Sequence, residues 1–145
     1  PGKWVPAAIA NIGLINRAGL RIPYGWLWSA KLVLDVTAKT KDGKEIFKDS
    51  KIYMTQATNS RGDAMVYGAH FKMGYTRDTS LQPLKKKIET YEINFPYEDK
   101  EGKREIKAKE MDITVVLRYQ LDPAPGEAGK DSFVIYETTK TVSIK

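Results

Sequence analysis

The chain has 145 residues with 24 Lys and Arg against 18 Asp and Glu, a formal charge of +6, one His and no Cys. That length suffices for one domain, which at about 150 residues buries roughly two-thirds of its unfolded surface. The missing Cys excludes disulfides, thiolate metal sites, cysteine nucleophiles and the covalent attachment of a c-type haem, and a zinc site within the chain has too few ligands.

The first strand is expected from about Ala8 to Ile15, with Pro6 confining its start to an edge or an entry segment. A break follows, in which Gly19, Pro23 and Gly25 interrupt two apolar runs. From Trp26 to Thr40 a second strand runs with Leu32, Leu34 and Val36 on one face and Lys31, Val33, Asp35 and Thr37 on the other. Asp42-Gly43 is a hairpin turn, and Glu45-Ile46-Phe47 begins the returning strand. Ile52 to Met54 reads as a separate short strand, and Thr55 to Gly68 has the composition of a long loop. A brief strand is expected at Ala69 to Met73, then a turn-rich entry, Asp78 to Pro83, and a strand over Lys85 to Pro96.

The charged run Tyr97 to Arg104 reads as an exposed connection. Met111, Ile113, Val115, Leu117 and Tyr119 alternate with polar neighbours as the next strand, Asp122 to Asp131 is a loop, and Phe133 to Ile144 is a long β-branched strand. The expected fold is a single domain over residues 1–145, all-β, an antiparallel immunoglobulin-like β-sandwich of about seven strands. No apolar run reaches the roughly 18 residues of a membrane-spanning helix.

Chemistry is sparse. His70 is the one imidazole, and a lone His in a β-protein is ordinarily structural, so no enzymatic activity is expected. Asn59, Asp63 and Asp78 lack the dense spacing of a calcium loop, and Arg61-Gly62-Asp63 carries no weight as an adhesion tripeptide. Lys85-Lys86-Lys87 and the basic residues after Lys103 are interleaved with glutamates, which dilutes the field a nucleic acid would meet. Trp4, Trp26 and Trp28 are the candidate partner-binding residues, with a core position as the competing reading of the last two. The chain opens on Pro1-Gly2 rather than Met, which reads as removal of a preceding segment such as a signal peptide, or as a cut boundary.

The run Ile9 to Gly25 resembles the start of the β-sandwich region beside the haem domains of some multihaem c-type cytochromes. In that family a strand ends in Asn and is followed by a Gly-His-x-(Phe or Ile)-Pro-x-Gly turn, a strand and an Asp-Gly hairpin. Gly19, Arg21, Ile22, Pro23, Gly25 and Asp42-Gly43 fit in order, and Asp78 to Pro83 is similar to the later Asp-x-x-(Leu or Ile)-x-Pro segment. Where the family has a His able to ligate haem iron, this chain has Leu20, which cannot.

The resemblance implies a haem-free, periplasmic or extracellular sandwich of bacterial or archaeal origin. It would serve as a non-catalytic structural or binding subunit of a multihaem cytochrome electron-transfer assembly, with a filament as one form. Its partners would be multihaem c-type cytochromes or like subunits in a homo- or hetero-oligomer, with no nucleic acid and no membrane span. It would carry no covalently bound cofactor, would contact the haem of a partner chain, and His70 is the first candidate for a ligand lent in trans. The two long terminal strands, Ala8 to Ile15 and Phe133 to Ile144, are expected to pair with a neighbour's sheet edge. The alternative is a cell-surface adhesin or pilus-like module with no redox partner, and a third reading is an enzyme accessory domain that binds carbohydrate through Trp26, Trp28 or tyrosines.

Overall fold

The computed structural model describes residues 4–23, 30–62, 64–65, 72–100, 103–121 and 132–144. Eleven strands occur among them: β1 (Ala7–Ile15), β2 (Lys31–Thr40), β3 (Glu45–Tyr53), β4 (Thr55–Thr58), β5 (Ala64–Met65), β6 (Gly74–Asp78), β7 (Lys86–Asn94), β8 (Tyr97–Lys100), β9 (Lys103–Ile106), β10 (Glu110–Gln120) and β11 (Ser132–Ser143). All the strand ladders are antiparallel. No helix among the described residues is long and apolar enough to cross a membrane.

Among the described residues six long strands make the sandwich. One sheet has the order β11-β10-β2-β3, and β1 and β7 pair to form the other. The class is the expected one, an antiparallel all-β fold. The strands are divided two against four, rather than the four against three of a constant-type immunoglobulin domain. The strand count exceeds seven because polar stretches also find partners. The supposed loop Thr55 to Gly68 contains β4 and β5, which with β6 form a three-stranded sheet, and the charged run after Tyr97 is the hairpin β8–β9. Strands so short carry too few side chains for a visible alternation, so only their backbone pairing reveals them.

The period of two in β2 places Leu32, Leu34, Val36 and Ala38 in the core, each at most 1% exposed. Tyr91, Ile93 and Phe95 from β7 and its end, Met111 and Ile113 from β10, Leu14 from β1, Tyr53 from β3 and Leu81 from the segment before β7 complete the buried cluster. Ala8, Ala10 and Ile12 pack against it from β1. The alternation read in β10 is therefore the core pattern itself, and burial alternates in the same way along β7.

β3 runs without interruption from Glu45 to Tyr53, so Ile52 does not begin a new strand. Lys48, Asp49, Ser50 and Lys51 mask the continuity because β3 lies at a sheet edge, where exposed polar residues are tolerated and guard against aggregation. The β2–β3 turn is closed by Gly43 N–H donating to the Thr40 carbonyl (2.9 Å) and Thr40 N–H donating to the Lys44 carbonyl (2.9 Å). Gly43 has φ of 81°, the left-handed region that glycine enters without a Cβ clash. Lys72 and Met73, expected to end a short strand, precede β6 instead. Residues 69–71 lie outside the described set, as does the loop expected over residues 122–131.

Candidate functional site

Two places on the sandwich combine defined geometry with surface access. The first is the end loop where β1 stops. Its organiser is Asn16, 3% exposed, whose amide nitrogen donates to the carbonyls of Leu20 (2.7 Å) and Leu81 (2.9 Å). Its side-chain oxygen accepts the Ala18 N–H at 2.9 Å, an Asx turn that starts the reversal. A buried amide can satisfy both its donors and its acceptor only if the surrounding backbone is held in one conformation.

Ile22 then exchanges two backbone hydrogen bonds with Leu81 (2.9 and 2.7 Å), and Leu84 N–H donates to the Asn16 carbonyl at 2.8 Å. Arg21 reaches the Asp78 carboxylate at 2.8 Å, and the other oxygen of Asp78 accepts the Ser80 N–H at 3.0 Å. The two segments that carry the family resemblance, Gly19 to Pro23 and Asp78 to Pro83, are thus one unit, although about 60 residues separate them along the chain. The Ile22–Pro23 peptide is cis within it. Leu20, at the place of the family's His, is 58% exposed at the tip of this unit. Gly25 lies outside the described residues.

The second place is an apolar groove of about 560 Å³ along the outer side of β1. Its floor is the inner face of the larger sheet beyond β1, with Val115 and Leu117 from β10 and Tyr136, Thr138, Lys140 and Val142 from β11. It exists because β7 lies over β3, where Phe47 and Tyr91 meet edge-on at 6.1 Å and Tyr53 bonds Glu89, while β1 lies next to β7. Two strands cannot cover four, so among the described residues no strand of the smaller sheet covers β11.

Two ionic clusters are structural in character. Glu89, 8% exposed, accepts hydrogen bonds from the Lys51 ammonium and from the Tyr53 hydroxyl at 2.8 Å. Burial by itself would raise its carboxyl, but the Lys51 and Tyr53 hydrogen bonds outweigh this and hold it below the usual value. The same pairing, added to burial as the leading cause, pushes the Tyr53 phenol far above its usual value. On the opposite face of the larger sheet Arg118, 4% exposed, pairs with Asp35 and donates to Gln120 at 2.7 Å. Neither cluster lines the groove. Among the described residues no group of three or more His, Cys, Asp or Glu could hold a metal ion. Asn59 caps its own turn, accepting the Arg61 N–H at 2.9 Å, and Asp78 is engaged by Arg21 and Ser80, so both have the turn-forming role weighed against calcium.

Of the partner-binding candidates, Trp4 is described and is 92% exposed. Trp26, Trp28, His70 and Asp63 lie outside the described residues. Asn16 was not among the candidate residues. Its signal was present, an Asn closing an apolar strand three residues before a glycine, but its bond to Leu81 depends on a contact across 65 positions.

No protein-family model matches the chain. No curated protein matches it. A solved structure does, that of a penta-heme cytochrome c552 from Thermochromatium tepidum, with a TM-score of 0.67 and 16% identity over 92% of this chain. The match takes in 36% of that cytochrome, so the chain spans about a third of its length. At this identity the likeness is one of fold.

Proposed function

We propose that the chain is a non-catalytic, extracytoplasmic β-sandwich module of a multihaem cytochrome assembly, which covers haem-bearing surface, excludes water from it and holds neighbouring units together. The observation that carries this reading is the end loop. The residues that resemble the multihaem family's paired segments are joined by Asn16, Ile22, Leu81 and the Arg21–Asp78 pair into one rigid tip, on a fold shared with part of a penta-heme cytochrome. Leu20 at that tip presents an apolar side chain where the family presents a ligand, which suits contact with a haem edge or its surroundings rather than coordination of the iron. Any iron ligand from this chain would have to come from elsewhere, and His70 is the imidazole available.

The test is to isolate the native assembly through a tag on this chain, record its absorption spectrum and identify its polypeptides. The expected result is a c-type haem spectrum with haem-binding peptides, in a second chain or in the remainder of the same polypeptide. A colourless preparation containing only haem-free chains overturns the proposal and favours the adhesin-like reading.

A further inference from the structure

We infer that the groove beside β1 is an acceptor site for a β-strand supplied by a partner polypeptide, whose inward side chains are apolar apart from one carboxylate that meets Lys140. This inference stands apart from the cytochrome reading, since no part of it involves haem.

Three features define the occupant. First, among the described residues β1 pairs with β7 on one side only, so about half of its backbone N–H and C=O groups point towards the groove. Unpaired backbone groups along nine consecutive residues are matched in register by another extended strand, and by little else. Second, the floor beneath that vacant position is the inner face of β10 and β11, where Val115, Leu117, Tyr136 and Val142 offer apolar contact. A strand added to β1 points alternate side chains down onto this floor, so those positions are apolar. Third, Lys140 is exposed and is the one charged side chain lining the groove among the described residues. A carboxylate among the inward side chains is the group that pairs with it, and the chain's net charge of +6 attracts an acidic segment from a distance.

A second copy of this chain does not fit. Isologous pairing of β1 with its symmetry mate keeps the inner faces of both copies on the same side. Each copy's larger sheet extends beyond β1 by the uncovered β11, so the two overhangs would occupy the same space beneath the joined strands. A strand that brings no second sheet with it has no such overhang.

The neighbouring surface is consistent with an edge awaiting a cover. Phe133, Val134, Ile135 and Tyr136 form a run at the start of β11 in which every residue is at least 56% exposed. Edge strands are usually guarded by charge, as the exposed Lys48 to Lys51 stretch guards β3, and this half of β11 has no such guard.

The experiment uses the 145-residue chain and two nine-residue peptides that alternate valine with threonine, differing in one inward residue, glutamate in one and lysine in the other. Binding is followed by amide chemical shifts and hydrogen exchange. The expected result is protection of β1 amides and a preference of about fivefold for the glutamate peptide, the size of a partly exposed ion pair. The preference should reverse in Lys140→Glu, an exposed site where the change leaves the fold intact. N-methylation of alternate peptide residues should abolish binding in one phase and spare it in the other, because only one edge of the added strand is bonded.

Loss of binding in both phases or in neither, or equal affinity of the two peptides, would overturn the strand-acceptor assignment. So would decanoate filling the groove without protecting β1, which would make it a small-ligand pocket. Concentration-dependent protection of β1 in the peptide-free chain would overturn it in favour of self-association.

Discussion

Replacing Asn16 tests the organisation of the end loop directly. In Asn16→Ala three side-chain hydrogen bonds disappear, to the Leu20 carbonyl, the Leu81 carbonyl and the Ala18 N–H. The Leu81 carbonyl retains a bond from Ile22 N–H, so the greater cost comes from the Leu20 carbonyl and the Ala18 N–H, which must find water, and from the vacated volume. With about 1 kcal/mol for each net hydrogen bond and a further contribution from the part left unsatisfied, the expected destabilisation is about 2–4 kcal/mol. Asn16→Asp is the sharper control. It keeps the acceptor for Ala18 N–H but cannot donate to either carbonyl and places a carboxylate against both, so it should cost at least as much as alanine at neutral pH and recover in acid as the carboxyl gains a proton to donate. Urea denaturation at several pH values measures both variants, with hydrogen exchange at Ile22 and Leu81 reporting the local opening. An alanine variant within about 0.5 kcal/mol of the parent, or an aspartate variant as stable as the parent at pH 7, would refute the view that this amide joins the two segments.

Further expectations follow from the core. The Glu89 carboxyl lies below its ordinary value near 4.5, so its ionised form stabilises the fold above that value, and this contribution is lost as pH falls from there through the depressed folded value. Glu89→Gln takes up no proton in this range, so its stability should fall less steeply between pH 5 and the acid limit than the parent's, as followed by urea midpoints across about that range. Identical acid slopes would show that Glu89 is not the group responsible. Leu34→Ala, at a fully buried site facing β1, should cost about 2–5 kcal/mol by thermal or chemical unfolding, and a loss below about 1 kcal/mol would mean that the two sheets do not close on this residue.

Strand pattern and structure part at the sheet edge and in the shortest strands. β2, β7 and β10 were legible because each is long and has one face in the core, so burial is imprinted on alternate residues. β3 was read as two pieces because at an edge its polar residues need not be excluded, and β4, β5, β8 and β9 were missed because they are stabilised mainly by backbone pairing, to which side-chain identity contributes little. Trp4, read as a docking residue, is exposed as that role requires, but exposure of one aromatic does not make a surface.

The likeness of Gly19 to Pro23 and of Asp78 to Pro83 to two segments of one family was visible in the residues themselves. That Asn16 bonds the Leu81 carbonyl and that Arg21 meets Asp78 was not, because hydrogen-bond partners 65 and 57 positions apart are chosen by the packing of the sheets. Composition and alternation alone determined the class of the fold, its inward faces and its lack of Cys chemistry, since these depend on which side chains leave water. The groove was decided only in three dimensions. It arises from the numbers of strands in the two sheets and from β7 seating over β3, and the arrangement of whole strands is not written in any one of them.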